Sequence, residues 1–199
     1  MSDFITEQVG LLEVNCYLVP TGDTLYIIDP GADAEIIVRR AREFECRERV
    51  ILLSHAHVDH IGAVGAVTRA LNIKTIYLHR KDVDLYFSPA NALPPWLPAA
   101  EDLPQPDSTF VSADFEIIET PGHTPGGVCF YFKQYPVLFV GDTLFAGSIG
   151  RTDLPGGDHQ QLIESIRGKL LGLPDSLEIY SGHGRHSTIG HEKIANPYL

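Results

Sequence analysis

The sequence predicts an α/β protein in which short apolar strands alternate with amphipathic helices. Eight apolar runs have the length of strands, and three longer stretches place apolar residues at helical spacing. The chain has 199 residues, of which 44% are hydrophobic, and this size is enough to bury one sizeable core. We therefore expect a single domain over residues 1–199.

The predicted elements follow in chain order. The strands are Val14–Val19, Leu25–Ile28, Val50–Leu53, Thr75–Leu78, Phe115–Glu119, Val128–Phe132, Val137–Val140 and Leu177–Tyr180. The helices are Asp33–Cys46, Gly62–Leu71 and Asp158–Leu171, each with one apolar face.

A proline-rich segment interrupts this alternation. Six prolines between Ser88 and Asp107 exclude a helix interior or a central strand there. The segment is expected to be a stiff loop. It either connects two elements at the surface with Trp96 packed beneath it, or forms one side of a cleft.

The charge of the chain restricts its partners. It has 15 basic and 26 acidic residues, a formal net charge of -11, which disfavours binding to nucleic acid or to anionic membranes. The start of the sequence has no basic and apolar leader, and no apolar run is long enough to span a bilayer. We expect a cytoplasmic protein with a small-molecule partner, and the sequence does not indicate its oligomeric state.

Histidine and aspartate residues follow five of the strand-like runs. If the strands lie side by side, these residues gather at one edge of the fold, and most of them stand beside a glycine that allows a sharp turn. In chain order they are Asp29, then His55, His57, Asp59 and His60 in the motif HAHVDH, then His123, Asp142 and His183.

These residue types are typical of catalytic metal sites. Imidazole and carboxylate groups suit zinc, iron and manganese. A structural zinc site usually closes with four ligands, whereas the seven residues from His55 to His183 can hold two ions and leave positions open for water. We expect two divalent metal ions, zinc in the first place, with iron or manganese as alternatives.

The spacing predicts how the ligands divide. His55 and His57 are expected to bind one metal with His123, and Asp59 and His60 the other with His183. Asp142, arriving alone from another strand, is the expected bridge between the ions.

Four motifs resemble those of the metallo-β-lactamase superfamily. They are HAHVDH, TPGHTPGG, FVGDTLF and the SGHG near the C-terminus. The resemblance implies an αββα four-layer sandwich with the metal site at one edge of the two sheets. It also implies that Asp29, in the motif IIDPG, holds the HAHVDH loop in place from behind the ligands.

Two further segments indicate a subgroup. GSIGRTDLPGGDHQQLIESI and HGRHSTIGHEKIANPYL resemble the short, single-domain proteins of the glyoxalase II type, which are similar to hydroxyacylglutathione hydrolase. The resemblance implies a thioesterase that hydrolyses S-lactoylglutathione or a related hydroxyacyl thioester, with a hydroxide shared by the two metals as nucleophile. It also implies that Asp59 orients this hydroxide and takes its proton.

Three cations are candidates for binding an anionic part of the substrate: Arg151, Arg185 and Lys193. For Arg151, an ion pair with Asp153 that braces the turn is the favoured alternative, and for Arg185 and Lys193 the favoured alternative is a solvated surface position. The main alternative function is a persulfide dioxygenase, which would use a single iron held by His55, His123 and Asp142. A β-lactamase is less favoured, because those enzymes lack the bridging aspartate and normally carry an export signal.

Overall fold

The computed structural model describes residues 4–199. Their contacts divide the chain into two compact units, with the boundary between Val111 and Ser112. Each unit contains one five-stranded mixed sheet and helices that pack against it. The predicted α/β class is confirmed, whereas the single domain over residues 1–199 stays a prediction.

The first unit contains a sheet whose strands follow chain order. They are β1 (Ile5–Val9), β2 (Val14–Thr21), β3 (Thr24–Ile28), β4 (Glu48–Leu52) and β5 (Thr75–Tyr77). The first three strands pair antiparallel, and β3, β4 and β5 run parallel. The carboxyl ends of the three parallel strands therefore lie at the same edge of this sheet.

Helices cover one face of the first sheet. They are α1 (Ala34–Ala41), α2 (Val58–Ile61), α3 (Val64–Leu71) and α4 (Val83–Tyr86). Ile37 of α1 and Val67 of α3 pack in one apolar cluster with alternate strand residues such as Leu18 and Ile51. Strand residues of the opposite face, such as Tyr26, are buried as well, which explains why the strands are nearly continuous apolar runs.

The second unit has strands β6 (Glu116–Glu119), β7 (Val128–Phe132), β8 (Val137–Gly141), β9 (Leu144–Phe145), β10 (Ser148–Ile149), β11 (Glu178–Ser181) and β12 (Ser187–Thr188). Its main sheet has the order β12-β11-β8-β7-β6, and β9 pairs with β10 separately. The strand β8 runs parallel to β11 and antiparallel to β7, and β7 is antiparallel to β6. The carboxyl ends of β6, β8 and β11 therefore share one edge.

Two helices pack against this second sheet. They are α5 (His159–Ser165), which continues as a π-helical turn over Ile166–Leu170, and α6 (Ile189–Ala195). Leu162, Ile166 and Ile189 form an apolar cluster with Leu138 and Ile179 of the strands. The apolar face predicted for this helical stretch is thus the buried one.

Several elements differ from the sequence-based expectations. The first helix ends at Ala41 instead of Cys46, because Glu43 bonds back to the carbonyl of Arg40 in a tighter turn. β1 and α6 were not predicted. β1 alternates half-buried and exposed residues at a sheet edge, and of its five residues only Val9 is buried, so its apolar content is low.

Trp96 is 56% exposed, so the expectation that it packs beneath the proline-rich segment is wrong.

Within residues 4–199, no helix combines the length and the apolar character that crossing a bilayer requires.

Candidate metal centre

In the first unit, the ligand candidates follow the parallel strands. Asp29 comes directly after β3, and the HAHVDH motif begins three residues after Leu52, the last residue of the neighbouring strand β4. Because Ile28 pairs with Leu52, both segments leave the sheet at the same edge. His55, His57, Asp59 and His60 are all buried there.

These side chains lie close to one another. The ring centroid of His55 is 4.9 Å from that of His57 and 4.1 Å from that of His60. The Nε2 atom of His60 lies 3.8 Å from Oδ2 of Asp59. This separation is longer than a hydrogen bond and near the roughly 3.3 Å between two ligand atoms on a tetrahedral ion with ~2.0 Å bonds.

Asp29 is the centre of a buried hydrogen-bond network. Its Oδ1 accepts from the backbone N–H of Ser54 at 2.7 Å. Its Oδ2 accepts from the Ser54 hydroxyl at 2.6 Å and lies 3.0 Å from Nδ1 of His60. The backbone of Asp29 has φ 51°, a left-handed conformation that aspartate tolerates better than most residues. The side chain is thereby held among its three partners.

This network fixes the proton positions on two histidines. A carboxylate only accepts, so in neutral His60 the proton is on Nδ1 and Nε2 keeps its lone pair. The Ser54 hydroxyl donates its single proton to Asp29. The Ser54 oxygen therefore accepts from Nδ1 of His55, which lies 3.0 Å away. Both imidazoles are therefore in the tautomer in which Nε2 can bind a metal.

In the second unit, three ligand candidates leave the sheet at its shared edge. Asp142 follows β8, and His183 follows β11, where Gly141 pairs with Ser181 and accepts a hydrogen bond from the N–H of Gly182 at 2.8 Å. His123 comes four residues after Glu119, the last residue of β6. The sheet topology thus brings together residues that are up to sixty positions apart in sequence.

Asp142 stands between the two histidines of this unit. Its Oδ2 is 3.7 Å from Nε2 of His123 and 3.6 Å from Nε2 of His183. Nδ1 of His123 donates to the carbonyl of Arg151 at 2.7 Å, so its Nε2 also keeps a lone pair. Nitrogen and oxygen donors with these separations and these tautomers fit borderline divalent ions such as zinc and iron.

Sequence reasoning missed three supporting residues. Besides Ser54, these are Asp82, whose Oδ2 accepts from the backbone N–H of Ala56 inside HAHVDH at 3.1 Å, and Thr120. The hydroxyl of Thr120 lies 2.9 Å from that of Thr143, which joins the loop of His123 to the loop of Asp142. Asp82 had a weaker signal than Asp29, because it comes five residues after the end of β5, whereas Asp29 comes directly after β3.

The three candidate substrate-binding cations are exposed. Arg151 forms a two-pronged ion pair with Asp153, with distances of 2.8 Å and 2.7 Å. This hydrogen bonding lowers the pKa of Asp153 to about 2. Lys193 lies 3.4 Å from Asp175. A substrate role for Arg151, Arg185 and Lys193 remains a prediction. For Arg151, the ion pair with Asp153 that was the alternative is present in the structure.

Gly31 permits a close approach of two backbone segments near the ligands. A Cβ added at this position would lie 1.5 Å from the carbonyl oxygen of Asp59. We expect Gly31→Ala to lower the free energy of unfolding by about 3 kcal/mol, the upper range for overpacking, and to weaken metal binding. Gly168→Ala is the matched control, because an added Cβ there meets nothing within 4 Å; denaturant unfolding of both variants checks the expectation, and equal stability would contradict it.

The contact between Thr120 and Thr143 gives a second prediction. Thr120→Val keeps the shape of the side chain but removes the hydroxyl that joins the two loops. We expect a loss of about 1–3 kcal/mol in stability, since a buried hydroxyl then loses a partner, together with weaker metal retention. Thr109→Val, in an exposed turn, is the control. Thermal unfolding with metal titration tests this, and unchanged metal retention would argue against a positioning role.

Comparison with known proteins gives the family of the chain. The model of the metallo-beta-lactamase superfamily matches residues 9–183. Hydroxyacylglutathione hydrolase GloC of Haemophilus influenzae is 40% identical to the chain, over 96% of this chain and 95% of that protein. One similar solved structure is TTHA1623 in a di-iron-bound form, with 37% identity, a TM-score of 0.88 and coverage of 98% and 100% of the two chains. Another is the B3 metallo-beta-lactamase BLEG-1, with 39% identity, a TM-score of 0.86 and coverage of 98% and 99%.

The chain therefore belongs to the metallo-β-lactamase superfamily, and the predicted fold of that family is confirmed. Within it, the chain is a metal-dependent hydrolase, and its buried histidine and aspartate residues form groups that could hold divalent ions.

Proposed function

We propose that this protein is a dinuclear metal-dependent thioesterase of the hydroxyacylglutathione hydrolase type, acting on S-lactoylglutathione or a related thioester. The single observation that carries the proposal is the position of Asp142 between His123 and His183, at 3.7 Å and 3.6 Å. One carboxylate between two imidazoles is the arrangement that a bridge between two ions needs. The 40% identity to hydroxyacylglutathione hydrolase GloC supports the substrate class.

The seven ligands divide in the proposal as the spacing predicts. His55, His57 and His123 hold one ion, Asp59, His60 and His183 hold the other, and Asp142 serves both. When bound, such ions supply Lewis acidity, which makes water nucleophilic near neutral pH and polarises a carbonyl group. Zinc is the expected metal, with iron or manganese as alternatives.

The protein's own residues orient and deprotonate the nucleophile. Asp59 is 7% exposed and accepts the proton of the attacking water. The water oxygen adds to the thioester carbonyl carbon, and the carbon–sulfur bond then breaks with its electron pair on sulfur. Because a thiol has a pKa of about 8.5, the thiolate leaves without a strong acid. Asp29 and Ser54 act indirectly by holding His55 and His60 in their ligand tautomers.

The test is hydrolysis of S-lactoylglutathione, followed by free-thiol release, before and after removal of metal with a chelator. We expect activity that disappears with the metal and returns when zinc, iron or manganese is added. A β-lactam and a simple oxygen ester of lactate serve as comparison substrates. Faster cleavage of the β-lactam than of every thioester would overturn the proposal in favour of a lactamase.

A further inference from the structure

The first unit contains a cavity of about 500 Å³ that the site described above does not explain. Leu11 and Leu12, in the turn between β1 and β2, line one part of it, and residues 97–101 of the proline-rich segment line another. Asp59, the proposed acceptor of the water proton, is among the lining residues. A cavity of this size is typical of small-molecule sites, and it reaches a residue of the metal centre.

The lining of this cavity is mostly aliphatic. Apart from Asp59 and Glu101, its described lining residues are leucine, valine, alanine, proline and glycine, with no lysine, arginine or histidine among them. Two carboxylates and no cation disfavour an anionic group such as the carboxylates of glutathione. The cavity is therefore suited to a neutral, apolar chain.

The proline-rich side of the cavity is held in place by hydrogen bonds. Asn91, which is 1% exposed, donates to the carbonyl of Tyr86 at 3.0 Å and accepts from the N–H of Ala100 at 3.0 Å. Leu93 and Leu97 exchange two backbone hydrogen bonds of 3.0 Å and 2.9 Å. Because this side is already ordered, binding a chain against it costs little conformational entropy.

We infer that this cavity binds the acyl chain of the thioester, and that the preferred substrates carry an aliphatic acyl chain longer than lactoyl. The inference rests on the proposed thioesterase function, because it places the carbonyl beside Asp59. The thiol part, which in glutathione is anionic, lies outside this cavity.

The first experiment compares thioesters of one thiol with acetyl, butyryl, hexanoyl and octanoyl chains. We expect kcat/KM to rise by up to about fourfold for each methylene that becomes fully buried. A flat series, with the thioesters still hydrolysed, would overturn the inference and leave the proposed function standing.

A binding measurement separates the two proposals. Trp96 is the only tryptophan, and it precedes Leu97, which lines the cavity. Its fluorescence should change when neutral amides bind, and hexanamide should bind most tightly, butyramide less tightly and acetamide least. A response of this order without any thioester hydrolysis would support the cavity and reject the thioesterase. If the amides caused no fluorescence change and kcat/KM did not depend on acyl-chain length, the assignment of the cavity to the acyl chain would be rejected.

Two variants test the assignment of the cavity. Leu97→Asp adds a charge to its lining, and Ala99→Phe reduces its volume. We expect each to lower kcat/KM for the octanoyl thioester about tenfold or more and to remove the rise of kcat/KM with acyl-chain length. Val111→Asp is the matched control, because Val111 is 79% exposed and does not line the cavity. Equal octanoyl preference in all variants would contradict the inference.

Discussion

Replacing Asp142 with alanine is expected to remove bound metal and activity together. The carboxylate lies within 3.7 Å of two histidine Nε2 atoms, so its loss would leave two imidazoles without the shared partner that a metal pair requires. Metal catalysis contributes several kcal/mol to such reactions, so we expect kcat/KM to fall about a thousandfold. Metal content per chain and thioester hydrolysis, measured on the same sample, check this result.

Asp23→Ala is the control for this variant. It also removes one negative charge, but Asp23 is exposed and pairs with Arg47 at 3.2 Å. The circular dichroism spectrum of Asp142→Ala should remain that of a folded protein, since Asp142 follows β8 and is not part of it. If Asp142→Ala still bound two metals per chain and hydrolysed the thioester at the normal rate, the proposed bridging role would be contradicted.

Asp29→Asn is expected to have the second largest effect. An asparagine has one acceptor oxygen and one donor amide, so it cannot accept from the Ser54 N–H on one side and from the Ser54 hydroxyl and His60 on the other. We expect metal affinity to fall about 10–100-fold, as for other residues that orient metal ligands. Stability should fall by about 1–3 kcal/mol, because a buried donor loses its acceptor.

Metal titration and denaturant unfolding measure the two effects separately. Ser54→Ala removes only the hydroxyl between Asp29 and His55, so its effect on metal affinity should be smaller than that of Asp29→Asn. Asp33→Asn changes a nearby carboxylate that accepts from Gly10 and is the control. Metal affinity in Asp29→Asn equal to that of Asp33→Asn would show that Asp29 does not orient the ligands.

Much of the fold could be predicted from the sequence. The strands β2 to β8 and β11 were predicted to within two residues at either end, because long apolar runs between turn residues leave few other structures. The weakly apolar β1 and the short α6 could not be found from apolar spacing. A cap signal was present for α6, because threonine is a preferred N-cap residue and Thr188 directly precedes the helix, where its hydroxyl accepts from the N–H of His191 at 3.1 Å.

The supporting contacts of the candidate site were harder to predict than the ligand candidates. Histidine and aspartate residues at strand ends are visible in the sequence, but the partner of His123 is a backbone carbonyl, that of Arg151, and any residue type offers one. The hydrogen-bond network of Asp29 depends on a distance of 2.6 Å between Oγ of Ser54 and Oδ2 of Asp29, two residues that are 25 positions apart. Such contacts follow from the parallel pairing of β3 and β4, which sequence patterns do not fix.

The measurement that tests the central claim most directly is metal content per chain in protein purified without added metal. It is paired with hydrolysis of S-lactoylglutathione and with oxygen uptake on glutathione persulfide. The dinuclear thioesterase predicts about two metals per chain, thioester cleavage and no oxygen uptake. One iron per chain with persulfide-dependent oxygen uptake would contradict it and assign the protein as a dioxygenase.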